Sequence, residues 1–236
     1  MKTLQVKHLH RALAAGRLLL ACACLLLACA CTGRADPDAQ TILKNARMAQ
    51  VGQQRTLSGH LRVQSTGQII PFTLDLAGDT IRYEFKDSAI ILRLGENGSQ
   101  LMETANGDTR KVSPARYDKP VEGTDITYED VSLKFLYWPK AKIDGSDTVD
   151  ELNCWKLHLE PGGQPSAYAV VLLWVRKATG DFLQGEGYDN AGKLVKRFKV
   201  ISGQRDPQGG WMLKTMRIET LAEGKEASIT YLQIDK

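Results

Sequence analysis

Apolar and polar residues alternate one by one along much of this chain, and this alternation constrains the fold more than any other feature. It is clear in residues 61–85; in the stretch 81–86, for example, every second residue is apolar. Because successive side chains of a strand point to opposite faces of a sheet, a period of two predicts half-buried β-strands. Short polar turns such as Gly78-Asp79 and Asn97-Gly98 separate these strands and favour hairpins. The sequence therefore predicts an antiparallel meander.

The alternation returns between residues 154 and 234, which brings the predicted total to about eleven strands. The stretch from Tyr168 to Val175 differs from the others because both of its faces are apolar, which is typical of a strand that is covered on both sides. A flat sheet of this size is unstable unless it curls. We therefore expect a mainly β fold with a few helices, in which the sheet is a curved antiparallel half-barrel.

Two segments have the periodicity of helices. Residues 38–50 predict a short helix that Asp36 or Asp38 caps. Between about 110 and 142 the alternation stops, and the apolar residues from 128 to 137 recur at helical spacing, with Asp125 available as a cap. A helix inserted in a meander must bury its apolar face, and the concave side of the sheet is the nearest apolar surface.

The first 35 residues have the layout of a secretory signal. Basic residues precede an uncharged apolar run of 13 residues, Leu18 to Ala30, and small residues follow. The run is too short for a membrane span, which needs roughly 17 to 25 apolar residues. We therefore expect residues 1–35 to be a signal peptide and residues 36–236 to form one domain.

Two processing sites within this signal remain open. Cleavage after Gly33-Arg34-Ala35 would give a soluble exported protein. Alternatively, Leu26-Leu27-Ala28-Cys29 resembles a bacterial lipobox, in which Cys29 would carry lipid, and Cys31 is a second candidate for the attachment. Lipidation would tether the protein to a bacterial membrane.

The charge of the chain argues against nucleic acid as a partner. The formal net charge is +4, but five basic residues and no acidic ones lie in the signal. The rest of the chain has 26 basic and 27 acidic residues, so its net charge is about −1. The remaining chain also lacks a run of basic residues interleaved with aromatic ones. Cys154 is the one cysteine after the signal, so we expect no intrachain disulfide.

The chain carries no recognisable catalytic motif. His60 and His158 lie on predicted strands, and we interpret His158 as an exposed strand histidine because Lys156 and Glu160 share its face. We interpret the acidic residues Asp125, Glu129 and Asp130 as the solvated start of a helix rather than as an acid–base pair. The paired cysteines lie in the signal, and no histidine or second cysteine pair follows them at metal-ligand spacing. We therefore expect neither an enzyme nor a bound cofactor or metal, and an inert buried thiol at Cys154.

Several short segments resemble the outer-membrane lipoprotein-sorting family, in its broader LolA-like group. The resemblance covers nearly all of the chain after the signal, and its motifs are moderately specific. It rests on residues 124–130, Phe135-Leu136 and Trp138, Cys154 to Leu157, Tyr168 to Arg176, Gly192 to Leu194, and a closing pair of strands between 211 and 234.

This resemblance implies a periplasmic half-barrel, with helices as a lid, whose apolar hollow encloses the acyl chains of a lipoprotein or another lipid. We expect a monomer with protein partners in the cell envelope. The predicted lining residues are Phe135, Leu136, Trp138, Leu172 and Trp174, although ordinary core packing would explain each of them as well. In the alternative function, the same fold is an envelope sensor or interaction module whose own side chains fill the hollow.

Overall fold

The computed structural model describes residues 36–48, 53–205, 211–222 and 225–235, and the strands in these ranges form one antiparallel sheet. Residues 1–35 lie outside the described residues, so the signal peptide and the lipid sites Cys29 and Cys31 remain predictions. The thirteen strands are β1 Gln53–Val63, β2 Ile69–Gly78, β3 Thr80–Glu84, β4 Ser88–Leu94, β5 Ser99–Ala105, β6 Asp108–Lys111, β7 Lys140–Val149, β8 Leu152–Glu160, β9 Val170–Arg176, β10 Phe182–Tyr188, β11 Leu194–Arg205, β12 Trp211–Ala222 and β13 Lys225–Ile234.

The order of the strands shows that one long connection crosses the sheet. The sheet runs β6-β5-β4-β3-β2-β1-β13-β12-β11-β10-β9-β8-β7, so nearly every strand pairs with its neighbour in sequence. Strands β6 and β7 are the exception, since they follow one another in the chain but lie at opposite edges. Their connection, residues 112–139, therefore passes from one edge of the curled sheet to the other. The predicted curved antiparallel fold is confirmed, with thirteen strands rather than about eleven.

Helix α1 spans Ala39–Met48 and agrees with the predicted first helix. The Asp38 carboxylate accepts a hydrogen bond from the Thr41 backbone N–H at 2.9 Å, which is the geometry of an N-cap. Ile42, Leu43 and Ala46 give α1 a buried face. Neither helix in the described residues combines the length and the hydropathy that a bilayer span requires.

The helix predicted for residues 128–137 is interrupted. Helix α2 covers only Tyr128–Ser132, and a 3₁₀ turn, Lys134–Tyr137, follows it. Leu133 separates the two with a φ of 51°, a left-handed conformation that ends a helix. The cap of α2 is Thr127 rather than Asp125, because Thr127 and Asp130 form a reciprocal capping box.

Two apolar cores lie on the inner face of the sheet, one under each half of the 112–139 connection. The larger combines β1 to β5 with Ile218 and Ile234 of the closing strands. The smaller packs α1 and the 3₁₀ turn on Leu157, Leu173 and other residues of β8 and β9.

The β7–β8 hairpin covers the outer face of β9. Asp150, in the hairpin turn, forms an ion pair with Lys199 of β11 at 3.0 Å, so the hairpin crosses over β9 and β10. Beneath it a small cluster contains Cys154, Leu172 and Trp174. Strand β9 is thus covered on both faces, in agreement with the sequence pattern.

Candidate ligand-binding hollow

The concave side of the sheet encloses a cavity of about 280 Å³. Its wall comes from both halves of the sheet, which shows that the sheet curls around it. The apolar side chains of this wall are Leu57, Leu61, Leu74, Leu76, Ile81, Tyr83, Phe85, Ile90 and Leu92 on one side and Phe182, Phe198, Val200, Met212, Leu213, Met216, Ile218, Leu232 and Ile234 on the other. Several of them, including Leu57 and Phe198, are only half-buried. The hollow is therefore a cavity with an apolar wall, and the side chains of the sheet do not fill it.

The 112–139 connection, which is called the lid below, closes the hollow together with α1. Val121, Ile126, Val131, Leu133, Phe135 and Leu136 of the connection face the cavity, together with Ala46 of α1. Asp130 and Asp181 are the charged residues among the described lining. A cavity with this lining suits an apolar ligand.

The structure brings two of the five predicted lining residues to the hollow. Phe135 and Leu136 belong to its lining. Trp138 does not; it is 1% exposed and packs in the smaller core with α1.

Leu172 and Trp174 lie on the face of β9 that points away from the lid. Strand alternation gives the inner positions to Val171, Leu173 and Val175, and the β7–β8 hairpin covers the outer ones. The Trp174 indole N–H donates to Asp147 at 2.9 Å on that side. Because both faces of β9 are apolar, its sequence does not show which face is turned inward.

Sequence reasoning also missed most of the wall. The period-two pattern placed Leu74, Leu76 and Ile81 on one face of the sheet, but a pattern cannot tell a filled core from an open hollow. That distinction depends on how far the opposite strands stand apart, which only the folded sheet shows.

Polar side chains of α1 hold the lid closed. The guanidinium of Arg47 donates to the backbone carbonyl of Leu136 and lies 4.6 Å from the ring centroid of Tyr137. The Gln40 amide donates to the carbonyls of Trp138 at 3.1 Å and Pro139 at 3.2 Å. This set of contacts, called the latch below, joins α1 to the 3₁₀ turn across the smaller core.

Two polar atoms of the closed lid are unsatisfied. The Tyr137 hydroxyl and the Trp138 indole nitrogen are buried without a hydrogen-bond partner among the described residues. A buried polar group without a partner costs roughly 1 to 3 kcal/mol.

The other end of the lid is anchored by a buried ion pair. Lys196 of β11 reaches Asp130 of α2, with Nζ 3.4 Å from Oδ2. The Tyr168 hydroxyl donates to Asp130 Oδ1 at 2.5 Å. Burial and, after it, the Asp130 charge raise the pKa of Tyr168 well above its ordinary value, so this hydroxyl keeps its proton.

Asp125 ties the same end of the lid to the closing strands. Its carboxylate accepts hydrogen bonds from the hydroxyls of Ser228 and Thr230, the second at 3.0 Å. Its backbone carbonyl accepts from Lys196 Nζ at 2.6 Å. Asp125 thus anchors the lid rather than capping α2.

Glu129 is also buried and bonded. Its carboxylate accepts from the Ser166 hydroxyl at 2.5 Å and from the Ala167 N–H at 2.9 Å. Interpreting Asp125, Glu129 and Asp130 as a solvated helix start is therefore wrong, since Glu129 and Asp130 are 4% and 5% exposed. Their partners lie on distant strands, and sequence spacing does not reveal such partners.

A third contact joins the lid to strand β5. Glu103 receives hydrogen bonds from Arg116, at 2.5 and 3.2 Å, and from the Tyr128 hydroxyl. Burial opposes ionisation of Glu103, but the hydrogen bonds and the Arg116 charge together hold its pKa below the ordinary value. Burial, aided by Glu103, raises the pKa of Tyr128 to about 12.

The remaining chemically versatile side chains are not grouped. His60 interacts with Asp235 and Gln233, both at 3.2 Å, and His158 lies 3.4 Å from Glu160. His158 is half-buried rather than exposed. Cys154 is fully buried, and burial raises the pKa of its thiol. The described residues contain no group of three potential metal ligands.

Comparison with known proteins identifies related folds. A family model with the description "Uncharacterized protein" matches residues 103–236. An outer membrane lipoprotein-sorting protein domain from Vibrio parahaemolyticus is similar in structure, with a TM-score of 0.66, 15% identity, and coverage of 84% of this chain and 90% of that one. A LolA superfamily protein from Nitrosomonas europaea gives a TM-score of 0.62 and 14% identity over 85% and 93% of the two chains.

A DUF1329 family protein from Desulfovibrio piger gives a TM-score of 0.61 and 20% identity over 84% and 91% of the two chains. No curated protein matches the sequence. At these identities the structural similarity establishes the fold.

Proposed function

Because the chain belongs to the family whose model covers residues 103–236 and has the LolA-like fold that its sequence resembles, we propose that it carries lipid, with an acyl chain of a lipoprotein or another lipid held in the hollow. The observation that supports this proposal is a lidded cavity lined by apolar side chains from both halves of the sheet. Burial contributes about 0.8 kcal/mol for each methylene. An acyl chain of about 15 methylenes therefore gains of the order of 12 kcal/mol, before the entropic cost of binding is subtracted.

A carrier must also release its cargo, and the two ends of the lid differ in how firmly they are held. The α2 end is fixed by the carboxylates of Asp125, Glu129 and Asp130, of which the last two are buried. The other end is held to α1 by the latch of Arg47 and Gln40 on backbone carbonyls. Each such hydrogen bond contributes roughly 0.5 to 3 kcal/mol, the larger values applying to charged donors. Opening between α1 and the 3₁₀ turn is therefore the cheaper movement.

The cellular location of the carrier depends on how its first 35 residues are processed. Cleavage after Ala35 gives a soluble periplasmic carrier of lipoproteins bound for the outer membrane, whereas lipidation of Cys29 or Cys31 gives a receptor tethered to a membrane. Either form acts with protein partners in the envelope that load or receive the lipid, and neither requires a reaction. A monomer suffices, because one chain encloses the hollow.

Intact-mass measurement with lipid extraction, on protein purified from its own envelope, tests the proposal. A carrier brings an acyl lipid with it, and the mass of the chain shows whether it begins at Asp36 or at a diacylated cysteine. An empty extract, together with failure to bind an added apolar dye, would contradict the proposal. That result would favour the alternative, an envelope sensor or interaction module of the same fold.

A further inference from the structure

A second pocket lies where strand β5 and the end of β6 meet the lid. It has a volume of about 370 Å³ and is lined by Ser99, Lys111, Val112, Ser113, Pro114, Tyr117 and Lys134. None of these residues lines the hollow. The two sites are nevertheless close, since Lys134 directly follows Leu133, which faces the hollow, and Tyr117 packs against the larger core.

The pocket contains two positive charges that no described carboxylate neutralises. Lys134 Nζ donates to the Pro165 carbonyl at 3.2 Å and lies 4.7 Å from the centroid of the Tyr117 ring, and both partners are uncharged. Lys111 is exposed at the end of the edge strand β6 and forms no ion pair with a described residue.

Several other lysines of the described residues form ion pairs with acids, whereas Lys111 and Lys134 do not. Lys196 pairs with Asp130, Lys199 with Asp150, and Lys140 with Glu160. The other polar side chains that line the pocket carry hydroxyls, on Ser99, Ser113 and Tyr117. Ser113 precedes the 3₁₀ turn Pro114–Arg116 without making a capping hydrogen bond, so its hydroxyl is available to donate.

We propose that this pocket binds the phosphate group of an amphiphile whose acyl chain lies in the hollow. Two ammonium groups beside hydroxyl donors suit a phosphate oxyanion, to which lysine binds as a point charge. A water molecule occupies about 30 Å³ of liquid, and the pocket volume of about 370 Å³ is roughly twelve times as large. The pocket therefore has room for a group larger than a bare phosphate ion. The inference rests on the proposed lipid-carrying function for the acyl chain, but the anion site itself does not.

Calorimetric titration separates the parts of this proposal. The full mature chain is titrated with a lysophosphatidylglycerol, with a monoacylglycerol of the same acyl chain, and with inorganic phosphate alone. The variants are Lys111→Gln with Lys134→Gln, and Lys193→Gln as a control, since Lys193 is an exposed lysine in the β10–β11 turn. Circular dichroism confirms that each variant is folded.

We expect the double variant to bind the lysophospholipid at least about tenfold more weakly and the monoacylglycerol unchanged, because only the lysophospholipid loses charge-assisted hydrogen bonds to its phosphate. The control should match the wild type. Equal weakening for both amphiphiles would overturn the headgroup assignment, since it would mean that Lys134 acts only by holding the lid. Unchanged lysophospholipid binding would overturn it as well.

The phosphate titration distinguishes failure of this site from failure of the proposed function. If phosphate binds the wild type and not the double variant while neither amphiphile binds, the pocket is an anion site and the lipid-carrying function is wrong. If the amphiphiles bind with equal affinity to wild type and double variant and phosphate does not bind, the function stands and the phosphate site is wrong.

Discussion

Lys196 of the sheet and Asp130 of the lid form an ion pair in the interior, where their side chains are 6% and 1% exposed. An isolated buried charge is costly, so each of the two groups requires the other. The pair therefore fixes one end of the lid to the floor of the half-barrel. In the proposed carrier, the lid opens at the other end, where Arg47 and Gln40 form the latch.

Removing one charge of the buried pair should destabilise the fold. We expect Asp130→Asn to lower the free energy of unfolding by about 3 kcal/mol, because it leaves Lys196 as a buried cation without a counter-charge. Urea denaturation measures this change. Asp118→Asn is the matched control, since the Asp118–Lys119 pair is largely exposed and should contribute less than about 1 kcal/mol. Similar stabilities of the two variants would show that the pair does not anchor the lid.

Removing the Arg47 side of the latch should loosen the lid without unfolding the protein. We expect Arg47→Gln to release a bound fatty acid about tenfold faster and to increase amide hydrogen exchange in residues 134–138, because the charged donor to the Leu136 carbonyl is lost. Arg62→Gln is the control, since Arg62 stacks on Tyr231, at 4.4 Å from the ring centroid, and takes no part in the lid. Unchanged release rates in R47Q would show that a contact other than the latch controls the opening of the lid.

Acid should weaken the contact between Glu103 and the lid. The pKa of Glu103 lies below its ordinary value of 4.5 in the folded protein, so folding favours the ionised carboxylate. Its contribution to stability is therefore complete above about pH 4.5 and is lost as the pH falls through the folded pKa. Urea midpoints between pH 7 and pH 3 should fall less steeply for Glu103→Gln than for the wild type. Parallel curves would contradict this assignment.

A close approach between β10 and Tyr168 should make Gly187 intolerant of a side chain. A Cβ at Gly187 would lie 2.7 Å from two ring carbons of Tyr168, whose hydroxyl bonds Asp130. We expect Gly187→Ala to cost about 1 to 3 kcal/mol in urea denaturation, as overpacking does. Gly98→Ala, where no atom would lie within 4 Å, should be nearly neutral. If the two variants are equally stable, the Tyr168 ring is not held in place.

The sequence predicted the sheet more completely than the site, and the reason is physical. Strand alternation, short turns and helix caps are local signals, so the meander, α1 and the break in alternation before β7 could be predicted from the sequence. Leu172 and Trp174 could not be distinguished from Leu173 and Val175, because a strand that is apolar on both faces does not indicate the inner one.

The anchoring carboxylates show the same limit. Glu129 and Asp130 follow a helix cap, where acidic residues are ordinarily solvated, and their partners Ser166, Tyr168 and Lys196 lie some 35 to 70 residues away in sequence. Long-range pairing of this kind depends on the crossing of the 112–139 connection. Sequence periodicity carries no information about it.

The most direct test of the account is to fill the hollow and measure lipid binding. Met216→Trp enlarges a side chain of the cavity wall, whereas Ile69→Trp makes a comparable enlargement at a residue that is 61% exposed. Equilibrium dialysis with labelled palmitate, on variants shown by circular dichroism to be folded, should give saturable binding for the wild type and I69W and at least about tenfold weaker binding for M216W. Equal binding by all three proteins, or no binding by the wild type, would contradict the claim that the hollow holds an acyl chain.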